Sequence, residues 1–337
     1  MSRSGVPAPA MRKLVEAFPD MLEQGWSTPR EAASRLEPGR ILVFAGMGGS
    51  GMAGAVASSF LQEKGRPTLV WLDAELPGWI GPLDRLVLIS YSGETWEALS
   101  LLREAIVRGV PTHAIASGGR LLEECRNAGV PVSTVPPGLP PRASLPYLLA
   151  AALRAVRAEA EEEITAAVAL LRAEAASPPA GREPKRIAEA MGNRIPVLIP
   201  VGPSRAVAAL RWRNQILENA KRSCFVSGLP EMAHNEVMGW ASLAGSGVPA
   251  SFWAFPDPDR EAPRTARLLE ALREEAAASG LPFEVVAPAE ASGLPGLLAE
   301  IFLGDRVSVE LAEASGVDPV PVEAIRRLRA ALAKEER

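Results

Sequence analysis

Residues 41–51 read Ile-Leu-Val-Phe-Ala-Gly-Met-Gly-Gly-Ser-Gly, and residues 85–95 read Arg-Leu-Val-Leu-Ile-Ser-Tyr-Ser-Gly-Glu-Thr. Each begins as an apolar, partly β-branched run of strand length and breaks into small residues. Each is followed by a segment with helical spacing of its apolar positions. A strand, a glycine- or serine-rich turn and a helix in succession put free backbone amides at a helix N-terminus, where an anion can be held.

Working outward, the same alternation continues. Further strands are expected at 68–72, 113–116 and 132–135, with helices at 50–62, 95–108 and 121–127. The run Pro-Pro-Gly-Leu-Pro-Pro at 136–141 interrupts regular structure. Residues 144–176 are rich in Ala, Glu, Leu and Arg and predict helix, with a second break at 177–184. The theme then returns: a strand at 195–201, a turn at 202–204, a long helix at 205–222, and strands at 251–255 and 283–286 around a helix at 264–278. The expected fold is α/β, with two related subdomains, each a parallel sheet covered by helices on both faces. The boundaries fall at 1–140 for the first, 141–190 for a helical connector, and 191–337 for the second with its terminal helix.

A chain of 337 residues with 47% hydrophobic and 23% charged residues can build two full cores. A net charge of −4 does not suit nucleic acid as a partner. No apolar run approaches membrane-spanning length, and the first 13 residues lack a signal-type apolar core. With only Cys125 and Cys224 and no dense cysteine pattern, a cytoplasmic protein without disulfides is expected. Two histidines, His113 and His234, far apart and without ligand spacing, point to no metal.

Two ligands compete for the first turn. Gly46, Gly48 and Gly51 spell the dinucleotide fingerprint, and Asp73 lies where a ribose-binding acid belongs. The second turn favours a different ligand. Ser90, Ser92 and Thr95, ending a strand and opening a helix, suit a phosphate monoester held by neutral donors together with Gly49 and Ser50. Helix capping is the plain alternative for such hydroxyls.

The two turns resemble the phosphate-binding signature of the sugar isomerase (SIS) fold. The ordered set GMGGSG, SYSGET, the PPR ending at Arg142, LENAK at 217–221, HNE at 234–236 and VDP at 317–319 resembles, over essentially the whole chain, the bifunctional phosphoglucose/phosphomannose isomerase family. That resemblance implies two SIS-type subdomains. It also implies interconversion of an aldose and a ketose 6-phosphate through a cis-enediol, with glucose 6-phosphate and possibly mannose 6-phosphate as aldose and fructose 6-phosphate as ketose. No cofactor is called for.

The roles follow from the same resemblance. Glu218 would be the base for the carbon acid, and His234 would open the sugar ring, since imidazole both gives and takes protons near neutral pH. Arg142 would stabilise the developing oxyanion. The histidine would come from a neighbouring subunit, implying a homodimer with a shared site. The family's C-terminal lysine is matched by Arg329, which is carried as a candidate site residue, and Glu94 stands where the narrow family often has Asn. A non-catalytic sugar-phosphate-binding protein is the alternative of a different class.

Overall fold

The computed structural model describes residues 8–28, 40–257 and 263–335. Residues 1–7, part of the stretch searched above for a signal-type core, lie outside them. Helices α1 (Ala8–Glu16) and α2 (Phe18–Ser27) precede the first strand–helix series. That series runs β1 (Leu42–Ala45), α3 (Gly48–Glu63), β2 (Thr68–Trp71), β3 (Arg85–Ile89), α4 (Trp96–Val107), β4 (Thr112–Ala116), α5 (Gly119–Ala128) and β5 (Val132–Thr134). The strands form one parallel sheet in the order β2-β1-β3-β4-β5, with Leu42 opposite both Thr68 and Arg85. Side chains alternate across it. Leu42, Phe44, Val87 and Ile89 enter one core, and Val43, Ala45, Leu86 and Leu88 enter the other.

Three helices follow: α6 (Leu145–Ala155), α7 (Glu161–Ala176) and α8 (Pro184–Met191). The chain then builds β6 (Ile195–Pro200), α9 (Pro203–Gln215), β7 (Phe225–Val226), α10 (Trp240–Gly245), β8 (Ala250–Phe255), α11 (Pro263–Ala278) and β9 (Phe283–Val285). These strands form a second parallel sheet, β7-β6-β8-β9, buried on both faces. Helices α12 (Gly293–Ala314) and α13 (Glu323–Glu335) close the described chain.

Both sheets share one logic. From β1 the chain turns outward to β2, and from β3 it turns the other way to β4, so the carboxyl ends of β1 and β3 border a crevice. Between β6 and β8 the same reversal occurs. Such switch points are where open α/β sheets bind ligands.

Three expectations need correction. The helix expected at 205–222 runs regularly only from Pro203 to Gln215. It then widens into a π-helical turn, Ile216–Ala220, and stops at Lys221, whose φ is +56°. The helix-rich stretch 144–176 is two helices, parted near Arg157 at φ +54°. Helix α12, 22 residues long, was not anticipated. It packs against α7, α8, α9 and the π turn, between the two sheets' helical layers.

Candidate active site

At the first turn Met47 is the N-cap residue and Gly48 opens α3 with φ +54°, a conformation that favours glycine. The turn is tightly fitted. A Cβ on Gly46 would lie 2.5 Å from the Ile89 carbonyl oxygen, and one on Gly49 would lie 2.8 Å from that of Pro141 and 3.2 Å from Arg142 Cα. Glycine at 49 therefore lets the proline-rich loop lie directly on the turn. Ser50 is buried, and its Oγ accepts a hydrogen bond from the Tyr91 amide at 3.0 Å, tying the first turn to the second.

The second turn tests the capping alternative. Thr95 occupies the N-cap position of α4, yet its side chain makes no cap hydrogen bond. Its Oγ1 instead lies 2.9 Å from Ser90 Oγ. The orphan amides of the helix's first turn are thus left uncapped beside two paired hydroxyls. Ser92 Oγ accepts from the Glu94 amide at 3.2 Å. Glu94 itself turns away, its carboxylate receiving the Arg120 amide at 2.9 Å and pairing with Arg120 Nε at 3.2 Å. Asp73 is exposed and accepts a hydrogen bond from the neighbouring Ala74 amide.

Two stretches distant in sequence, 218–219 and 319–320, converge on Arg142, which is only 3% exposed. Its Nε donates to Asn219 Oδ1 at 2.7 Å, and its Nη2 donates to the Pro319 and Val320 carbonyls at 2.5 and 3.2 Å. Its Nη1 stands 3.5 Å from Glu218 Oε2, a separation that makes an ion pair without a hydrogen bond. Burial pushes this guanidinium's pKa below arginine's ordinary value while Glu218 pulls it upward. It stays charged regardless.

The supports of these groups are local. The π turn lets two consecutive side chains, Glu218 and Asn219, reach one guanidinium, and such turns recur at functional sites. Glu218 remains about one-quarter exposed, at 27% of its side chain, with its carboxylate toward Arg142. Asp318 Oδ1 accepts the Val320 amide at 2.9 Å, an Asx-type turn that presents the two carbonyls to Arg142. Lys221 Nζ donates to the main-chain oxygens of Glu218 and Pro319 and not to the Glu218 carboxylate. Its pKa is lowered, chiefly by desolvation and next by the charge of Arg142.

Two candidates lie apart from this group. His234 is exposed on a short 3-10 turn, Glu231–His234, between β7 and α10, and no hydrogen bond or ion pair joins it to Arg142 or Glu218. Arg329 is exposed on α13, beside an exposed Leu328. At the second sheet's switch point the chain places its own charges. Ser204 Oγ donates to Asp257 Oδ2 at 3.1 Å, and Arg205 Nη2 lies 3.7 Å from Asp257 Oδ1. Among the described residues there is no cluster of three His, Cys, Asp or Glu fit to hold a metal, and no helix long and apolar enough to cross a membrane.

The sequence reading named Arg142 and Glu218 but not what holds them. Asn219, Asp305, Ser308 and Arg211 carry no motif signal of their own, although Asn219 sits inside the quoted LENAK.

Residues 181–332 match the family model described as bacterial phospho-glucose isomerase C-terminal SIS domain. The chain is 35% identical over 329 residues to a bifunctional phosphoglucose/phosphomannose isomerase of Aquifex aeolicus, covering 96% of this chain and 98% of that protein. It is 32% identical to a protein of the same description from Thermoplasma acidophilum, over 86% and 88% of the two chains. The fold is similar to that of glucosamine-6-phosphate deaminase from Thermotoga maritima, with a TM-score of 0.68 at 14% identity over 92% and 96% of the two chains.

Proposed function

The chain belongs to the bifunctional phosphoglucose/phosphomannose isomerase family, and from that premise we propose how its own residues interconvert glucose 6-phosphate or mannose 6-phosphate and fructose 6-phosphate. The observation that carries the assignment is the Arg142–Glu218 pair, held against the Gly49 turn by the proline-rich loop.

The phosphate dianion sits at the β1/β3 switch point. The Gly49 amide and the Ser50, Ser90, Ser92 and Thr95 hydroxyls donate to it, and two helix N-termini add favourable dipoles. This anchors one end of the open-chain sugar and lays C1 and C2 toward Arg142 and Glu218. Glu218 takes the proton from C2 of the aldose and returns it at C1 of the ketose, and the reverse reaction retraces that path. Arg142 Nη1 faces the oxygen on which negative charge grows in the enediol-forming step. A buried, prearranged cation is effective there because no solvent has to reorganise.

Ring opening needs a group that exchanges protons between the ring oxygen and the C1 hydroxyl. His234 supplies it from a second copy of the chain, which fits its exposure and the lack of a hydrogen bond or ion pair between it and Glu218 within one subunit. We therefore assign a homodimer with shared sites, acting in the cytoplasm. No step is assigned to Arg329.

The test is an assay on fructose 6-phosphate that follows both aldoses, with Glu218→Gln beside the wild type. Turnover should be lost by about 10²- to 10⁴-fold in the variant. An unimpaired variant would sink the mechanism. Binding of the sugar phosphate without turnover by the wild type would make the protein a sensor instead.

A further inference from the structure

The guanidinium of Arg142 has five N–H groups. Asn219 takes the one on Nε, and the Pro319 and Val320 carbonyls take the two on Nη2. Among the described residues Nη1 donates no hydrogen bond, so its two N–H groups are left for whatever lies beside Glu218. Which edge of the guanidinium faces the substrate is therefore set by these acceptors together, and Asn219 is the one among them that is a side chain.

That acceptor is itself fixed. Asn219 is fully buried, and its Nδ2 donates to Ser308 Oγ at 2.9 Å. The Ser308 hydroxyl spends its own proton on the Asp305 carbonyl at 2.7 Å, so Ser308 can only accept from Asn219. The amide is thereby locked with its oxygen toward Arg142. Helix α12 holds the other end of the same residue as well. Asp305 pairs with Arg211 through contacts of 2.8 and 2.7 Å, and Arg211 Nη2 donates to the Arg142 carbonyl at 2.8 Å.

We propose that Asn219 is a positioning residue. Its amide, locked by Ser308 on α12, turns the Arg142 guanidinium so that only Nη1 is presented to the enediolate oxygen. This rests on the assignment of Arg142 and Glu218 made above. Asn219 does not touch the sugar. Its effect is on the transition state and not on phosphate binding, which the Gly49 and Ser90 turns perform.

The experiment measures kcat and KM on fructose 6-phosphate, and the affinity for sorbitol 6-phosphate, which carries the phosphate but has no carbonyl to isomerise. Asn219→Ala should lower kcat by about 100-fold, since small misplacements of a catalytic group cost that much. Its affinity for sorbitol 6-phosphate should stay within about twofold of wild type. Asn219→Asp keeps an acceptor on Nε and should recover at least about tenfold of that loss at alkaline pH. It adds a negative charge near Glu218, however, so the acid limb of the kcat/KM profile should move up by about half a pH unit or more. Ser308→Ala should lower kcat by about tenfold through the loosened amide.

A wild-type kcat in Asn219→Ala overturns the proposal. So does a matched loss of kcat and sorbitol 6-phosphate affinity, or an acid limb unmoved in Asn219→Asp. Should Asn219→Ala not fold, the near-isosteric Asn219→Asp and Ser308→Ala carry the test. Glu218→Gln separates the two levels. If it retains full turnover, the site assignment fails and this inference with it. If it is inactive while Asn219→Ala behaves as wild type, only the role of Asn219 fails.

Discussion

His113, on β4, is 3% exposed, with Nε2 2.8 Å from Ser133 Oγ and with Nδ1 lacking a partner. Desolvation lowers its pKa to about 4. In the unfolded chain the imidazole takes a proton near pH 6.5, so below that pH the unfolded state binds a proton that the folded state refuses. The stability it contributes is fully present above pH 6.5 and is lost as pH falls through 4, by about 3 kcal/mol at pH 4. His113→Asn should be less stable at pH 7, and its deficit against wild type should shrink by that amount between pH 7 and pH 4 in urea titrations. A constant deficit would show that His113 is not held neutral. Legibility at this scale divides by chemistry. The two strand-to-helix turns were readable because glycine and hydroxyl residues at the ends of strands are informative types in an informative place. Asn219 and Asp305 were not, since their work depends on buried partners brought from distant parts of the chain.

At the level of elements, β1 and β3 were readable because apolar runs between small residues leave few alternatives, and Arg85–Ile89 was placed to the residue. Helix α12 escaped because it is buried nearly all round and has no polar stripe to reveal its period. Its interior glycines, Gly296 and Gly304, also lower its intrinsic helix propensity. The structure explains both, since a Cβ on Gly296 would lie 2.0 Å from the Ala291 carbonyl oxygen. A Cβ on Gly304 would lie 2.2 Å from Trp212 Cδ1, so glycine is what lets α12 press against α9. Trp212 is fully buried, and its Nε1 donates to the Glu300 carbonyl at 2.7 Å. Gly304→Ala improves intrinsic helix propensity yet should destabilise the protein by about 1–3 kcal/mol through overpacking. It should also lower turnover, since Asp305 and Ser308 ride on the same helix. A thermal midpoint at or above wild type would count against this packing. The π turn and the left-handed Lys221 left no trace in composition or period, because both are imposed by what the turn packs against.

For the whole molecule, the distance in function between His234 and Glu218 makes a direct demand. If each site combines Glu218 of one subunit with His234 of another, Glu218→Gln and His234→Asn homodimers are each inactive. Exchanged subunits then form hybrids with one intact site. Equal mixing should restore about a quarter of wild-type turnover, half the dimers being hybrids with one working site in two. No recovery after demonstrated subunit exchange would place both residues of a site in one chain. The repeated switch point in the two sheets shows why the halves look related and yet divide the work. The first has the Gly49 and Ser90 turns at its crevice, and the second closes its own with Asp257 and Arg205.

The carbonyl of Pro319 that holds Arg142 comes from 177 residues further along the chain. On a ribosome adding about 5–20 residues per second, that acceptor is made roughly 10–35 s after the arginine. Throughout that interval the first sheet and its two strand-to-helix turns can already exist, while a cation meant for burial has no acceptor for two of its donors. Competence for chemistry therefore arrives late in synthesis and all at once. A nascent chain stalled before Val317-Asp318-Pro319 would hold the Gly49 and Ser90 turns without the carbonyls that fix Arg142.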